Sequence, residues 1–511
     1  MALNSRLLNV ILSYRFLVAL LVMTCTFMQY SQKVDMSFNI VCMVNQSALN
    51  NETNASDSDG PFIWNSEAQG LILSSFFWGY LVSQIPAGYL ASKFGPKITM
   101  FCSMALNGVL LCLYGSLAPH GYGFIIFLRV VLGLSAGMIF PSVTQLWSRW
   151  APTSDRSILI GFALSGSHLG SVFTFLVGGP LCTNGIGFGE KWASLFYVEA
   201  FLTFAWCGLW LILFRSDPQK HPFVSEKEKQ YIKNNTIPKR PISLRMVPWI
   251  RILTSKAFIA HDFTYTLMFW GFYVMLTSTP TYMKYVLNFD INNAGFVSCV
   301  PFLLIWLFCT SAGVVADVII SRGYLSRTAT RKLANCISGF GAGVFMIALG
   351  FVTNTTTAVV LYSIAAAFFG VGWGAGFMCV SNDIGGSISG IVFGMGNTIG
   401  TIPGIVAPYV TKAMTPQNTH AQWKNVFITA GVMYIAAGLE FLIFGTANAQ
   451  SYMGENEASM ASGEKSPEVN DKQEETSNFI SSTENQAEGA DKIKQFEDIA
   501  IHPIKTKVSI A

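Results

Sequence analysis

The chain has 511 residues, 51% of them hydrophobic and 12% charged, with 45 Gly and 40 Phe. A soluble domain carries about a quarter charged residues, so this composition excludes a water-exposed globule. The formal charge of +4 conceals an uneven distribution, because residues 447–511 hold 12 acids and 6 bases and residues 1–446 hold 16 acids and 26 bases.

Apolar stretches follow one another at 14–43, 68–92, 97–117, 122–147, 157–182 and 191–214, and again at 258–286, 293–318, 330–352, 356–379, 386–413 and 423–446. A helix needs about 20 residues to cross a hydrocarbon core of ~30 Å, so each stretch predicts a transmembrane helix. The fold class is therefore all-α, a membrane protein of twelve spans. The first stretch has no small-residue cleavage site behind it and reads as a retained helix, not a signal peptide. The polar loop 44–67 holds the acceptor triplets at Asn45, Asn51 and Asn54, which predict glycosylation on a lumenal or extracellular face. No Lys or Arg lies between Lys33 and Lys93, whereas ten lie from Arg215 to Lys256. The positive-inside bias puts that linker, 215–257, and both termini in the cytosol. The basic excess is thus a topology signal; no RNA-binding aromatic motif accompanies it, and nucleic acid is excluded as a partner.

The linker divides the spans into bundles 1–214 and 258–446. A small-residue turn recurs after the second span (Gly88 to Lys97) and at the end of the eighth (Gly313 to Asp317), which predicts two pseudo-symmetric six-helix bundles able to alternate access. Residues 447–511, rich in Glu, Ser, Asn, Gln and Lys, cannot bury enough surface to fold and read as a disordered acidic cytoplasmic tail. The ten Cys are scattered singly without CxxC or metal-ligand spacing, so they read as packing residues with no disulfide framework and no metal site. No GxxxxGK[ST], hydrolase triad or HExxH motif is present, which excludes ATP-driven transport and enzyme chemistry of those kinds. No pore-loop segment interrupts the spans, which argues against a channel.

Several motifs resemble a known family. GYLASKFGPK (Gly88 to Lys97) resembles the loop motif of the major facilitator superfamily, and Gly70 to Gly95 is similar to the second-span signature of its anion-cation symporter family, which includes sodium-phosphate cotransporters, sialin and vesicular glutamate transporters. Arg129 to Pro141, Leu146 to Ser157, Asp217 to Ile232, Pro280 to Lys284 and Gly396 to Pro408 match in the same order. The resemblance implies a monomeric symporter for a small-molecule anion, embedded in plasma-membrane or endolysosomal lipid. It also implies no cofactor beyond a co-transported ion, sodium or, alternatively, a proton.

The site residues follow from intramembrane polarity, since an ionisable group in hydrocarbon faces a partner or a wet cavity. Lys33 and Arg129 stand at or near the family's intramembrane arginines and imply, with Tyr273, an anion-binding site. In relatives the Lys33 position is usually Arg with Asn two residues on, where this chain has Asp35. A Glu of the proton-coupled relatives is replaced by Ala136, and Leu73, Phe302 and Met268 replace two His and an Arg of the vesicular glutamate carriers. Those departures favour a sodium-coupled, phosphate-like anion; a proton-coupled acidic organic solute of the sialic acid type is the alternative, and a non-transporting nutrient sensor the alternative class. Coupling candidates are Asp35, Glu199, Asp262 and Asp383, with Glu440 and His168 as further buried groups. Arg149 and Arg156 with Asp155, like Lys93, Lys97 and Asp317, lie at the cytoplasmic ends of spans and predict charge latches that favour one access state. Ser92 replaces the usual Asp of the loop motif and weakens that latch. Pro403 and Gly404, with Gly396 and Pro408, break the eleventh span into a flexible gate helix.

Overall fold

The computed structural model describes residues 10–49, 60–152, 155–236 and 247–452. Asn51, Asn54 and the tail beyond Tyr452 lie outside the described residues, as does the Arg156 side chain.

Among the described residues the helices form twelve spans. The first half consists of α1 (Tyr14–Met43), α2 (Ser66–Phe94), α3 (Pro96–Leu117), α4 (Tyr122–Ala136) continued by α5 (Ile139–Trp150), α6 (Arg156–Asn184) and α7 (Ser194–Leu213). A short helix, α8 (Glu226–Asn235), lies in the linker. The second half consists of α9 (Lys256–Tyr285), α10 (Ile291–Ser321), α11 (Arg327–Leu349), α12 (Thr355–Ala375) continued by α13 (Phe377–Gly385), α14 (Ser389–Ile399) continued by α15 (Ile402–Met414), and α16 (His420–Phe444). The starts are chemically marked. Asn65, Ser326 and Asn354 accept hydrogen bonds from backbone N–H groups three residues on, and Thr419 forms a capping box with Gln422. Gly95, at φ +82°, turns the chain from α2 into α3, a conformation open to glycine.

Lipid offers helices no hydrophobic drive toward each other, so close backbone approach through small residues must hold the bundle. A Cβ on Gly79 would meet the Val130 carbonyl oxygen at 1.9 Å, and one on Gly133 would meet that of Phe76 at 1.9 Å, which locks α2 against α4. Gly166 and Gly170 bring α6 equally close to Met23 and Phe27 of α1. The second half repeats the scheme. Helix α1 packs on α6, α2 on α4 and α3 on α7; in the second half α9 packs on α15, α10 on α12 and α11 on α16. The halves meet along α1 with α9, α2 with α15, and α6 with α10.

One sequence expectation is corrected here. Cys42 and Cys182 form a disulfide, with Cα atoms 6.4 Å apart. They are 140 residues apart in sequence and become neighbours only because α1 and α6 pack along their length, so spacing carried no trace of the pair. The eleventh span breaks at Gly400 and Thr401. The fourth and tenth spans break too, at Gly137 and Gly376, which the sequence reading did not anticipate.

Candidate functional site

Nine described helices are apolar and long enough to cross a membrane on hydropathy alone. The three spans that fall short, α1, α2 and α9, are the ones that build the site, because their polar residues face each other and not lipid. Lys33 of α1 is 4% exposed. Its ammonium lies 5.0 Å from the ring centre of Tyr30, one turn earlier on the same face, 5.1 Å from Phe77 and 5.0 Å from Tyr80 on α2, and 5.2 Å from Tyr273 on α9. Four rings from both halves thus surround one cation within cation–π range. Among the described residues no carboxylate or hydrogen-bond acceptor lies against that ammonium. Gly404 extends the cage wall: a Cβ there would strike the Phe77 ring at 2.6 Å, so the broken eleventh span rests directly on the cage.

Arg129, the second cation of the expected anion site, is paired with a carboxylate. Its Nη1 donates to Asp35 Oδ1 at 3.0 Å in an ion pair that is 1% and 0% exposed, and its guanidinium stacks over Phe76. The resemblance implied an anion contact for Arg129; the structure pairs it with Asp35. Around this pair runs a buried polar network. Ser31 donates to Glu199 and shares a hydrogen bond of 2.7 Å with Thr174, Gln32 donates to Thr203 at 2.7 Å, and Asn107 donates to Gln32 at 2.9 Å. At Ala136 the backbone carbonyl accepts a long hydrogen bond from Gln29.

The other candidates lie apart from the cage. Asp383 is held by Arg331 at 2.8 Å and Arg327 at 3.6 Å. Glu440 accepts from Thr264, and Asp262 is buried beside His261 with Oδ1 unpartnered. His168 meets Trp373 of the other half edge-on at 5.0 Å. Asn45 caps a short helix by accepting from Ala48 N at 2.8 Å.

Among the described residues, Lys93, Lys97, Arg149 and Asp317 form no ion pair across the halves. Lys93 lies over Tyr89 and Phe94 of its own helix and turn, Lys97 donates to the Leu211 carbonyl at 2.9 Å, and Arg149 and Asp317 are exposed without an ion pair among the described residues. Asp155 instead pairs at 2.6 Å with Arg15, whose Nε also binds Glu228 of α8 at 3.0 Å. Glu228 further accepts the Tyr14 and Arg15 backbone N–H groups, and thus ties the linker to the start of α1. Sequence reading missed Arg15 and Glu228, although a lone Arg opening an apolar stretch was a usable signal.

Hydrogen bonds between the halves gather toward the disulfide end. Lys412 donates to Gln69 at 2.8 Å, Thr183 to Asn292 at 3.1 Å and Ser66 to the Pro416 carbonyl at 3.3 Å, while Gln84 donates to Thr401 at 3.1 Å near the span break. At this end a cavity of about 1180 Å³, lined by Cys42, Cys182, Lys284, Asp290, Asn292 and His420, lies between the halves.

Comparison with known proteins agrees with this architecture. The Major Facilitator Superfamily profile matches residues 7–408. Human sialin is 33% identical over 86% of this chain and 91% of its own length, and bovine vesicular glutamate transporter 1 is 30% identical over 87% and 79%. Among solved structures, a bacterial homolog of the human lysosomal transporter Spinster, in an inward-facing conformation, aligns over 84% of this chain and 96% of its own with a TM-score of 0.64 at 13% identity. On the fold, the site and these matches together, the chain belongs to the major facilitator superfamily, in its anion-cation symporter branch.

Proposed function

We propose that this protein is a secondary transporter that moves a small organic anion through a site centred on Lys33, by alternate opening of its two halves. The observation that carries the reading is the cage: one unpaired ammonium between four aromatic rings drawn from both halves. A single positive charge with apolar walls matches a monovalent carboxylate bearing an apolar or ring portion. A phosphate, with nearly two charges and four oxygens, calls for several donors, and Arg129 is already engaged by Asp35. This favours the acidic organic solute over the sodium-coupled, phosphate-like anion that sequence alone favoured. Similarity to sialin and to a vesicular glutamate transporter supports the same class.

The linker and both termini face the cytosol in this reading, and the 44–67 loop faces the lumen or exterior, at the plasma membrane or an endolysosomal membrane. The Cys42–Cys182 disulfide supports that orientation, since such bonds persist on the oxidising side. The test is uptake of labelled sialic acid, glutamate and phosphate into proteoliposomes under imposed proton or sodium gradients, with Lys33→Gln as comparison. Gradient-driven uptake of an organic acid that Lys33→Gln abolishes supports the reading. Phosphate uptake indifferent to Lys33, or no accumulation of any solute, overturns it.

A further inference from the structure

The second set of polar groups on α1 carries chemistry that the cage does not use. Asp35 of α1 and Glu199 of α7 are 0% and 2% exposed, and Glu199 accepts from Ser31, one turn before Asp35 on the same face of α1, which places both carboxyl groups in one buried polar pocket. One oxygen of each is occupied: Asp35 Oδ1 by Arg129 and the Met36 backbone N–H, Glu199 Oε1 by the Ser31 hydroxyl. The remaining oxygens, Asp35 Oδ2 and Glu199 Oε2, receive no donor from the protein. Two carboxylates cannot hydrogen-bond each other, and two negative charges in contact inside a membrane repel without solvent to screen them. A single proton between them supplies the missing donor and leaves one negative charge, which Arg129 balances.

The groups that face the pair are few. Helix α4 contributes Arg129 and α3 contributes Tyr114, while α6 contributes the uncharged Thr174. Lys33, on α1 itself, has its ammonium among the four rings of the cage. No group of three or more His, Cys, Asp or Glu side chains is gathered among the described residues. One turn beyond Asp35 on α1, toward the disulfide end, Asn39 is 1% exposed and leaves both its side-chain nitrogen and oxygen unpartnered. It shares the Asp35 face of the helix, and α1 continues from it to Cys42 at the cavity. A buried amide with free donor and acceptor is where a water can bridge a proton toward that cavity.

We infer that Asp35 and Glu199 form a proton-binding dyad that couples solute movement to a proton. The proton arrives from water on one face of the membrane, forms an O–H bond on one carboxyl while hydrogen-bonding the other, and is returned to water on the opposite face. No other bond is made or broken. Loading the dyad lowers the negative charge of the pair from two to one, so anion and proton each favour binding of the other.

This inference rests on the transport reading, and its test is chosen to separate the two. Infrared difference spectra of the purified protein, titrated from alkaline to acidic pH, read carboxyl protonation without any solute. A protonated-carboxyl band already present at neutral pH, lost in Glu199→Gln, shifted in Asp35→Asn and retained in Glu440→Gln, is the expected result. A band absent from the wild type, or indifferent to both Glu199→Gln and Asp35→Asn, overturns the dyad. In proteoliposomes Glu199→Gln should abolish accumulation driven by a pH gradient, whereas accumulation that follows sodium with no accompanying proton movement overturns it. If the wild type accumulates no solute at all, the transport reading fails and the infrared result still decides the dyad.

Discussion

Arg129 and Asp35, 94 residues apart on separate helices, form an ion pair of 3.0 Å that water does not reach. Charges so placed cost several kcal/mol each to desolvate and persist because each neutralises the other. Removing one partner leaves the other stranded, so Arg129→Gln and Asp35→Asn should each destabilise the protein by about 3–5 kcal/mol. The double substitution should recover most of that loss. Thermal unfolding of the three variants in one detergent checks this; a double variant as unstable as the sum of the singles would show that the two side chains act independently.

The cage makes the opposite prediction for stability. Lys33 is buried without a counter-ion, so Lys33→Gln removes a desolvated charge and should leave the unfolding temperature unchanged or higher. The same variant should lose at least about tenfold in organic-anion uptake, since 1.4 kcal/mol of lost binding corresponds to that factor. Lys33→Arg should keep part of the activity. Uptake at the wild-type rate in Lys33→Gln would remove Lys33 from the pathway.

At the linker end, Glu228 holds Arg15 Nε and two backbone N–H groups at the start of α1. Its side chain is 12% exposed, so water only partly compensates their loss. Glu228→Ala should cost about 1–3 kcal/mol, and Glu228→Gln, which keeps an acceptor, should cost less. Limited proteolysis of the linker measures the local effect: both variants should be cut faster there, Glu228→Ala more so. Equal cleavage rates in wild type and both variants would dismiss the tie.

Joining α1 to α6 at one end, the Cys42–Cys182 disulfide closes a loop of 140 residues. A crosslink of this kind contributes about 2–4 kcal/mol, so the double substitution to Ser should lower the unfolding temperature measurably. Reductant should lower it by the same amount in the wild type and not at all in the variant. A reductant response that survives the substitutions would mean another thiol is responsible.

The twelve spans, the division into halves and the family were legible because they rest on run length, composition and contiguous motifs, which are one-dimensional properties. Lys33, Arg129 and Tyr273 were legible as polar residues at family positions inside apolar runs. What those residues touch was not. Arg129 met Asp35, Lys33 met four rings, and Asp155 met Arg15, which also holds Glu228. In each case the partners come from distant segments.

By itself, then, the sequence determined that the chain enters a membrane as paired helical bundles, because hydrocarbon admits only segments whose backbone hydrogen bonds are closed within themselves. Which charges are neutralised and which remain available was decided by packing alone. Glycines at positions such as Gly79, Gly133 and Gly170 bring helices into backbone contact, and that contact sets the rotation that turns Asp35 to Arg129 and Glu199 and turns Lys33 to the opposite half. A one-residue change in helix rotation swings a side chain by about 100°, so contacts of a few ångströms depend on the packed bundle and not on the order of residues.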